Sequence, residues 1–496
     1  MLTQEQWKAR ALQLDPQTQA FIAGRFAGAA SGETFDDISP RDGTVIAGIA
    51  ACDRADVDLA VAAARTAFES GVWSRRPAKK RKQILKRLAQ LMRDNLEELA
   101  LLETLDVGKP IGDSLRVDVP NAANTFEWYG EAIDKLYDEI APTSSPALAL
   151  VTREPIGVVG AVVPWNYPLI ITAWKLAPAL AAGNSVILKP AEQSPLSALR
   201  LAELAQEADI PDGVLNVVPG FGETAGAALG LHPDVDKIAF TGSNEVGRHF
   251  LRYAADSNLK SVSLELGGKS PQLILADAPD LQDAALAVAQ GIFYNQGETC
   301  NAGSRVLVDR RIREPFVQEV IAAGRTMQPD DPLDPDAAMG ALIDQNHLDR
   351  VLGYVAVGVE EGAVVRAGGG RVRADSGGYY LPPTVFDGVH NTMRIAREEI
   401  FGPVLGVIDF ETVDEAVALA NDTHYGLAAS VWTRDLRTAH TVARSLRAGT
   451  VWVNCFDYSE VTTPFGDFKQ SGNGRDRSLH AFEQYTQLKT TWIDLS

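Results

Sequence analysis

The stretch "IGVVGAVVPWNYPLIITAWKLAPALAAGNSVILKP" occupies residues 156–190 and reads as strand, helix, strand. Ile156–Trp165 is a β-branched run with no polar face, as expected of a strand covered on both sides of a sheet. The apolar stretch after it has helical spacing, closes at Gly183 and gives way to a second strand at 185–190. Further on come a helix in "SPLSALRLAELAQEA", a strand in "GVLNVVPG" and a helix from about Glu223. A strand in "KIAFTGS" and a helix opening at about Asn244 complete the series. Such alternation predicts an α/β fold with a Rossmann-like, doubly wound parallel sheet.

On the N-terminal side, residues 54–104 read as helical, and a second helical stretch runs through "VDVPNAANTFEWYGEAIDKLY" to Tyr137. "ALALVTREPIG" then alternates as a strand does. From Glu265 to about Asp467 a second α/β unit is expected. Its strands are "PQLILADA", "SRVLVD", "PVLGVIDF" and "GTVWVN", and its helices include "DEAVALANDT" and "LRTAHTVARSLR". The tail "TQLKTTWIDL" and "ALALVTREP" are strands left over from either sheet; edge strands of this kind pair with another chain, so oligomerisation is expected.

Forty-six basic residues against 65 acidic ones leave a net charge of -19, which opposes general nucleic-acid binding and suits cationic small ligands. The N-terminus has no signal-peptide core, and no apolar run is long enough to span a membrane. The three cysteines form no CxxC pair and the seven histidines show no HExxH spacing, so a cytoplasmic protein without a metal is expected.

A GxGxxG fingerprint after the first strand is missing. "GFGETAG" (220–226) is a weak substitute, and "AGGG" near Gly368 reads as a hairpin turn. "TGSNEVG" (241–247) is better placed: it joins a strand end to a helix start, where free N–H groups and the helix dipole favour a phosphate, with Ser243 as N-cap. Glu192, just past the second strand, is positioned to accept the adenosine ribose hydroxyls and to repel a 2′-phosphate, with Lys189 beside it.

Cys52 and Cys455 read as small buried hydrophobes. Cys300 differs. In "YNQGETCNAGSR" its neighbours are small or polar, and Gly297 and Gly303 allow a ligand close to the backbone. A thiolate there would add to an aldehyde, giving an oxyanion that needs donors and a thioester that needs a base. Asn166 in "PWNYP" offers the donor, and Glu265 in "LELGGKSP" offers the base.

Together "PWNYP", "KPAEQSPLSA", "FTGSNEVG", "LELGGKSP", "NQGETCNAGSR", "EEIFGPV" and "PFGDFKQSGNGRD" resemble the motifs of the NAD(P)-dependent aldehyde dehydrogenase superfamily, in order and over almost the whole chain. The resemblance implies Cys300 as nucleophile, Asn166 with the Cys300 N–H as oxyanion donors, Glu265 as base and Lys175 as a proton-relay member. It places Lys189 and Glu192 at the adenosine ribose, Trp165 and Ser243 at the pyrophosphate and Glu399 at the nicotinamide ribose. Gly222, Gly242, Gly247, Leu266 and Phe401 line the rest of the NAD cleft, with NADP as the weaker alternative. It also implies a cofactor domain (1–132 and 155–264), a catalytic domain (265–467) and a bridging β arm (133–154 and 477–496), assembled as a homodimer or homotetramer.

The C-terminal "SGNGRDRSLHAFEQYTQLKTTWI" is similar to the branch that oxidises ω-amino and guanidino aldehydes of polyamine and arginine breakdown. On that reading Asp118, Asn121, Tyr167, Trp174, Glu298, Thr299, Asp457 and Phe465 line an acidic, aromatic substrate tunnel suited to a cation on a methylene stem. Three positions depart from the family pattern: Asp476 for glutamate, Asp467 for glycine and Gln487 for glutamate. The rivals are a broad-specificity aldehyde dehydrogenase, a coenzyme A-acylating one, which Glu265 disfavours, and a non-catalytic scaffold.

Overall fold

Five parallel strands form the centre of the first sheet: β1 (Val158–Val162), β2 (Ser185–Lys189), β3 (Leu215–Val217), β4 (Lys237–Thr241) and β5 (Ser261–Glu265). The structure is a computed structural model and describes residues 2–144 and 146–496. The strands lie in the order β3-β2-β1-β4-β5. The winding reverses between β1 and β4, and a crevice opens there beyond their C-terminal ends. Every residue of β1, β2 and β4 is buried, which is why their sequences lack the alternation of a one-sided sheet.

Helix α1 (Pro168–Ala182) follows β1; Pro168 occupies its first turn, and Gly183 ends it at φ +105°, which favours glycine. Asn184, fully buried, then ties three elements together. Its Oδ1 accepts from the Gly157 N–H, and its Nδ2 donates to the carbonyls of Ala179 and Tyr485. Helix α2 (Asn244–Ala255) starts on Ser243, whose Oγ accepts from the Val246 N–H.

The second sheet holds β6 (Pro271–Ile274), β7 (Arg305–Asp309), β8 (Thr384–Asp387), β9 (Val404–Phe410), β10 (Ala428–Trp432) and β11 (Thr450–Val453), all parallel to their neighbours, in the order β8-β9-β7-β6-β10-β11. Val364–Ala367 adds an antiparallel edge to β8. After β11 the chain returns to the first sheet, where Gly472–Asn473 pairs with Leu264 and Glu265 of β5.

Several expectations need revision. The helical region 54–104 is three helices, Arg54–Ser70, Ala78–Asp94 and Leu96–Val107, broken at Gly71 and Asn95. The next helix stops at Ala132, not Tyr137. The "AGGG" glycines start a long connection between antiparallel strands, not a tight hairpin turn. Cys52 is buried as expected, but Cys455 is half-buried beside Trp452 and Phe456.

The leftover strands pair with each other. Thr486–Asp494 runs antiparallel to Ala147–Pro155, which pairs in turn with Glu139–Ala141. This small sheet exposes Leu488 and Trp492 at 65% and 62%, and Leu495 just past its last strand is 60% exposed. Of the segment 133–154, Ser145 lies outside the described residues. Among the described residues no helix is long and apolar enough to cross a membrane.

Replacing Asn184 by Ala would strand one buried N–H and two carbonyls, so Asn184→Ala is expected to cost about 3 kcal/mol. The measurement is the urea unfolding midpoint, which should fall; an unchanged midpoint would refute the tie.

Candidate active site

A cavity of about 590 Å³ lies between the C-terminal ends of the two sheets, within the range of small-molecule sites. Its wall includes the loop after β1 (Pro164–Tyr167), the turn after β4 (Thr241–Ser243), Glu265 at the end of β5, and Thr299–Asn301.

The segment before Cys300 has an unusual backbone. Asn295, Gln296 and Gly297 take φ values of +47°, +58° and +74° in succession. A side chain at Gly297 would collide with the Gly402 backbone. Side-chain bonds hold the turn: the Gly340 N–H donates to Gln296 Oε1, and Asn295 Nδ2 donates to the carbonyls of Asn166 and Glu298. Cys300 therefore emerges partly exposed to the cavity, with its own carbonyl packed against Gly268.

Asn166 is buried and its Nδ2 donates to the Glu298 carbonyl at 2.8 Å. That bond uses one of two amide hydrogens and leaves the other for the cavity. Glu265 is 3% exposed, and among the described residues neither carboxylate oxygen has a hydrogen-bond partner. Burial pushes its carboxyl up to about 8; Lys175 opposes the rise, and Asp476 and Glu399 add to it. The Cys300 thiol is held well above its ordinary value, first by desolvation and then by the carboxyls of Glu265 and Glu399. The protein's own groups thus favour the thiol, not the thiolate.

Lys175 is off the cavity wall and donates to Asp476 Oδ2 at 2.6 Å, both groups being 3% exposed. Asp476 thus engages a lysine directly despite its short stem. Asp467 is buried, its Oδ1 has no partner, and burial together with Glu265 and Asp476 pushes it up to about 10. Its carboxyl lies over Gly472, the strand partner of Glu265. Gln487 stands opposite Glu154 in the small sheet.

Trp165, Gly242, Ser243, Glu399 and Phe401 line one end of the cavity. Glu399 Oε1 accepts from the Gly268 N–H at 2.9 Å and lies across Gly267, where a side chain would block it; burial pushes its carboxyl up to about 7. Lys189, the last residue of β2, pairs at 3.0 Å with Glu192 just past it, both outside the cavity wall. Gly247 and Leu266 pack against each other behind it, and Gly222 is exposed in a turn beyond β3.

Asn121, Tyr167, Trp174, Thr299, Asp457 and Phe465 line the other end. Asp118 and Glu298 do not. Asp118 is fully buried and bound to Lys109 at 2.9 Å, so its charge is spent inside the protein. The Glu298 side chain is also fully buried and accepts from the Ile343 N–H; only its carbonyl faces Asn166. The tunnel is accordingly less acidic than the sequence suggests.

Sequence reasoning missed His347, Arg350 and Arg477. His347 packs against Trp165 and Phe401, with Nε2 at 2.6 Å from the Phe401 carbonyl, and burial lowers its pKa to about 4, keeping the ring neutral. Arg350 donates to the Glu399 carbonyl. Lone residues of these types carry no spacing signal; only Arg477, directly after "GRD", stands in the C-terminal motif.

The fold and site define a two-sheet α/β enzyme with a cysteine, an amide and a carboxyl facing one cavity. Residues 26–491 match the aldehyde dehydrogenase family, and the chain belongs to that family. It is 53% identical over 489 residues to the NADP/NAD-dependent aldehyde dehydrogenase PuuC of Escherichia coli K12, covering 99% of this chain and 98% of the relative. Its fold superposes with a TM-score of 0.98 on γ-glutamyl-γ-aminobutyraldehyde dehydrogenase from Burkholderia cenocepacia J2315, at 57% identity and 100% coverage of both chains. A crystal structure of an indole-3-acetaldehyde dehydrogenase complexed with NAD+ matches at TM-score 0.99, also at 57% identity and 100% coverage of both.

The raised Glu265 carboxyl has a consequence for stability. Between 4.5 and about 8 the folded protein holds a proton there that the unfolded chain releases, so stability falls as pH rises through that window. Glu265→Gln should leave Tm nearly unchanged at pH 5 and raise it at pH 8.5. Equal shifts at both pH values would contradict the burial effect.

Proposed function

We propose that this enzyme oxidises an ω-amino aldehyde to its carboxylic acid with NAD, through a covalent acyl intermediate on Cys300. The supporting observation is that Cys300, the spare Asn166 hydrogen and the unpartnered Glu265 carboxyl face a single cavity. The relative that acts on γ-glutamyl-γ-aminobutyraldehyde supports the substrate class, and Asp457 and Glu460 on the cavity wall supply negative charge for an amine.

Several features fit NAD at the Trp165 end. Thr241 Oγ1 is buried there without a partner, the start of α2 offers N–H groups, and Glu399 lies across the space over Gly267. Glu192, past β2, would accept ribose hydroxyls and disfavour a 2′-phosphate, making NADP the weaker cofactor. When bound, the nicotinamide supplies the hydride acceptor, and its positive charge favours the thiolate that the apo site disfavours.

The chain's own residues then act in sequence. Cys300 Sγ adds to the carbonyl carbon, and the oxyanion accepts from Asn166 Nδ2 and the Cys300 N–H. After oxidation the acyl group remains on sulfur as a thioester. Glu265 takes a proton from water, whose oxygen attacks the acyl carbon; sulfur leaves as thiolate and the acid departs. The Lys175–Asp476 pair, with Asp467 nearby, is a route for carrying the Glu265 proton away.

The sheet boundaries support the three-part organisation 1–132 with 155–264, 265–467, and 133–154 with 477–496. The exposed apolar residues of the small sheet support assembly as a homodimer or homotetramer, and we place the enzyme in the cytoplasm. Aromatic aldehydes are the second reading, favoured by Trp174 and Phe465 at 5.3 Å and by the indole-3-acetaldehyde relative.

Cys300→Ala should lower steady-state NADH formation by about 10³-fold or more. Glu265→Gln should retain a first-turnover burst of NADH and then stall; equal slowing of burst and steady state would remove Glu265 from the hydrolytic step. In kcat/KM, 4-aminobutanal should exceed butanal, whereas parity or preference for an aromatic aldehyde would favour the second reading.

A further inference from the structure

Arg477 is 6% exposed and lines the substrate end of the cavity. Among the described residues its guanidinium makes no side-chain hydrogen bond and no salt bridge, and its Nε is buried without any partner. Its carbon Cζ lies 5.2 Å from the ring centre of Trp174 and 5.2 Å from that of Phe465. Aromatic rings support the faces of a guanidinium but leave its in-plane N–H donors unused. A buried cation without a directly paired anion is unfavourable, and the nearby charges of Asp457 and Asp476 offset this only in part, which leaves its in-plane donors open to a partner that arrives from outside.

The backbone is built to hold this side chain in place. Arg477 and Ser478 both have positive φ, +61° and +50°. Ser478 donates its N–H to the Val461 carbonyl and accepts at its own carbonyl from the Tyr129 hydroxyl. The pinning contact joins Arg477 to the 457–461 segment, which brings Asp457 and Glu460 to the same wall. Asp457 favours the cation from a distance but makes no salt bridge to it; its Oδ1 accepts from Asn301 Nδ2 at 2.7 Å. One wall thus presents a cationic fork beside two carboxylates.

Building on the aldehyde dehydrogenase reading above, we propose that Arg477 is a specificity-determining residue that binds a carboxylate at the far end of the aldehyde. The preferred substrates are then ω-aldehydes whose head group is zwitterionic, as in an amino acid. The carboxylate takes the in-plane donors of Arg477 and the ammonium faces Asp457 and Glu460. A planar fork matches a carboxylate in a way that a point charge does not, so lysine should replace it only in part.

The test compares ω-oxocarboxylates of three to six carbons with the matching n-alkanals, in wild type, Arg477→Met and Arg477→Lys. Wild type should favour the best oxo acid over its alkanal. Arg477→Met should lose about 100-fold in kcat/KM on that oxo acid, mainly through KM, with alkanals changed by less than about threefold. Arg477→Lys should recover part of the loss. Glutarate, an unreactive dicarboxylate, should raise the Tm of wild type and not of Arg477→Met. A parallel fall on both substrate classes would reduce Arg477 to a wall residue, and no fall on either would overturn the proposal. If wild type oxidises 4-aminobutanal but ignores every carboxylate-bearing aldehyde, this inference alone fails. If it reduces NAD with no aldehyde at all, the catalytic reading fails first.

Discussion

Asn166 and the turn before Cys300 exchange hydrogen bonds: the Asn166 amide donates to the Glu298 carbonyl, while the Asn295 amide donates to the Asn166 carbonyl. These bonds join the end of the first sheet to a loop of the second unit. Everything at the site depends on that joint, because it sets the sulfur and the oxyanion donor relative to one another. It also explains why three successive residues can sit at positive φ. Two of them are not glycine, and their conformation persists only because the surroundings over-determine it.

Electrostatics follows from the same enclosure. Glu265, Glu399 and Asp467 are crowded into a region with little water, and each is pushed toward its neutral form. The same enclosure disfavours the thiolate of Cys300. The protein's own groups thus favour the neutral forms of both Cys300 and Glu265. A positive charge beside the sulfur would oppose this and favour the thiolate. A cysteine ready as thiolate at all times would be exposed to oxidation and stray electrophiles.

Much of the molecule was legible from sequence because its signals were local. The β1–α1–β2 unit showed in a β-branched run, a helical period and a closing Gly183, and the two strands of the small sheet showed in their alternation. Cys300, Asn166 and Glu265 were recoverable because each stands in a short local motif, "NQGETCNAGSR", "PWNYP" and "LELGGKSP". The helix ending at Ala132, the breaks at Gly71 and Asn95, and the long connection after Gly368 were misread. Gly71 caps its helix at φ +76°, a local signal hidden within a longer helical period, whereas Asn95 and Ala132 carry no such stop.

Sequence alone determined the fold class and the identity of the reacting groups, since both are carried by short-range pattern and by side-chain chemistry. Only the tertiary structure decided which charges remain available. Asp118 looked like a tunnel acid until Lys109 was found against it, and Glu298 turned its carboxyl into the interior. Arg477 carried no signal in the sequence, and only folding placed it, without a salt bridge, beside two aromatic rings. The physical reason is that a charge acts through its neighbours in space and through the dielectric around it, and neither is written along the chain.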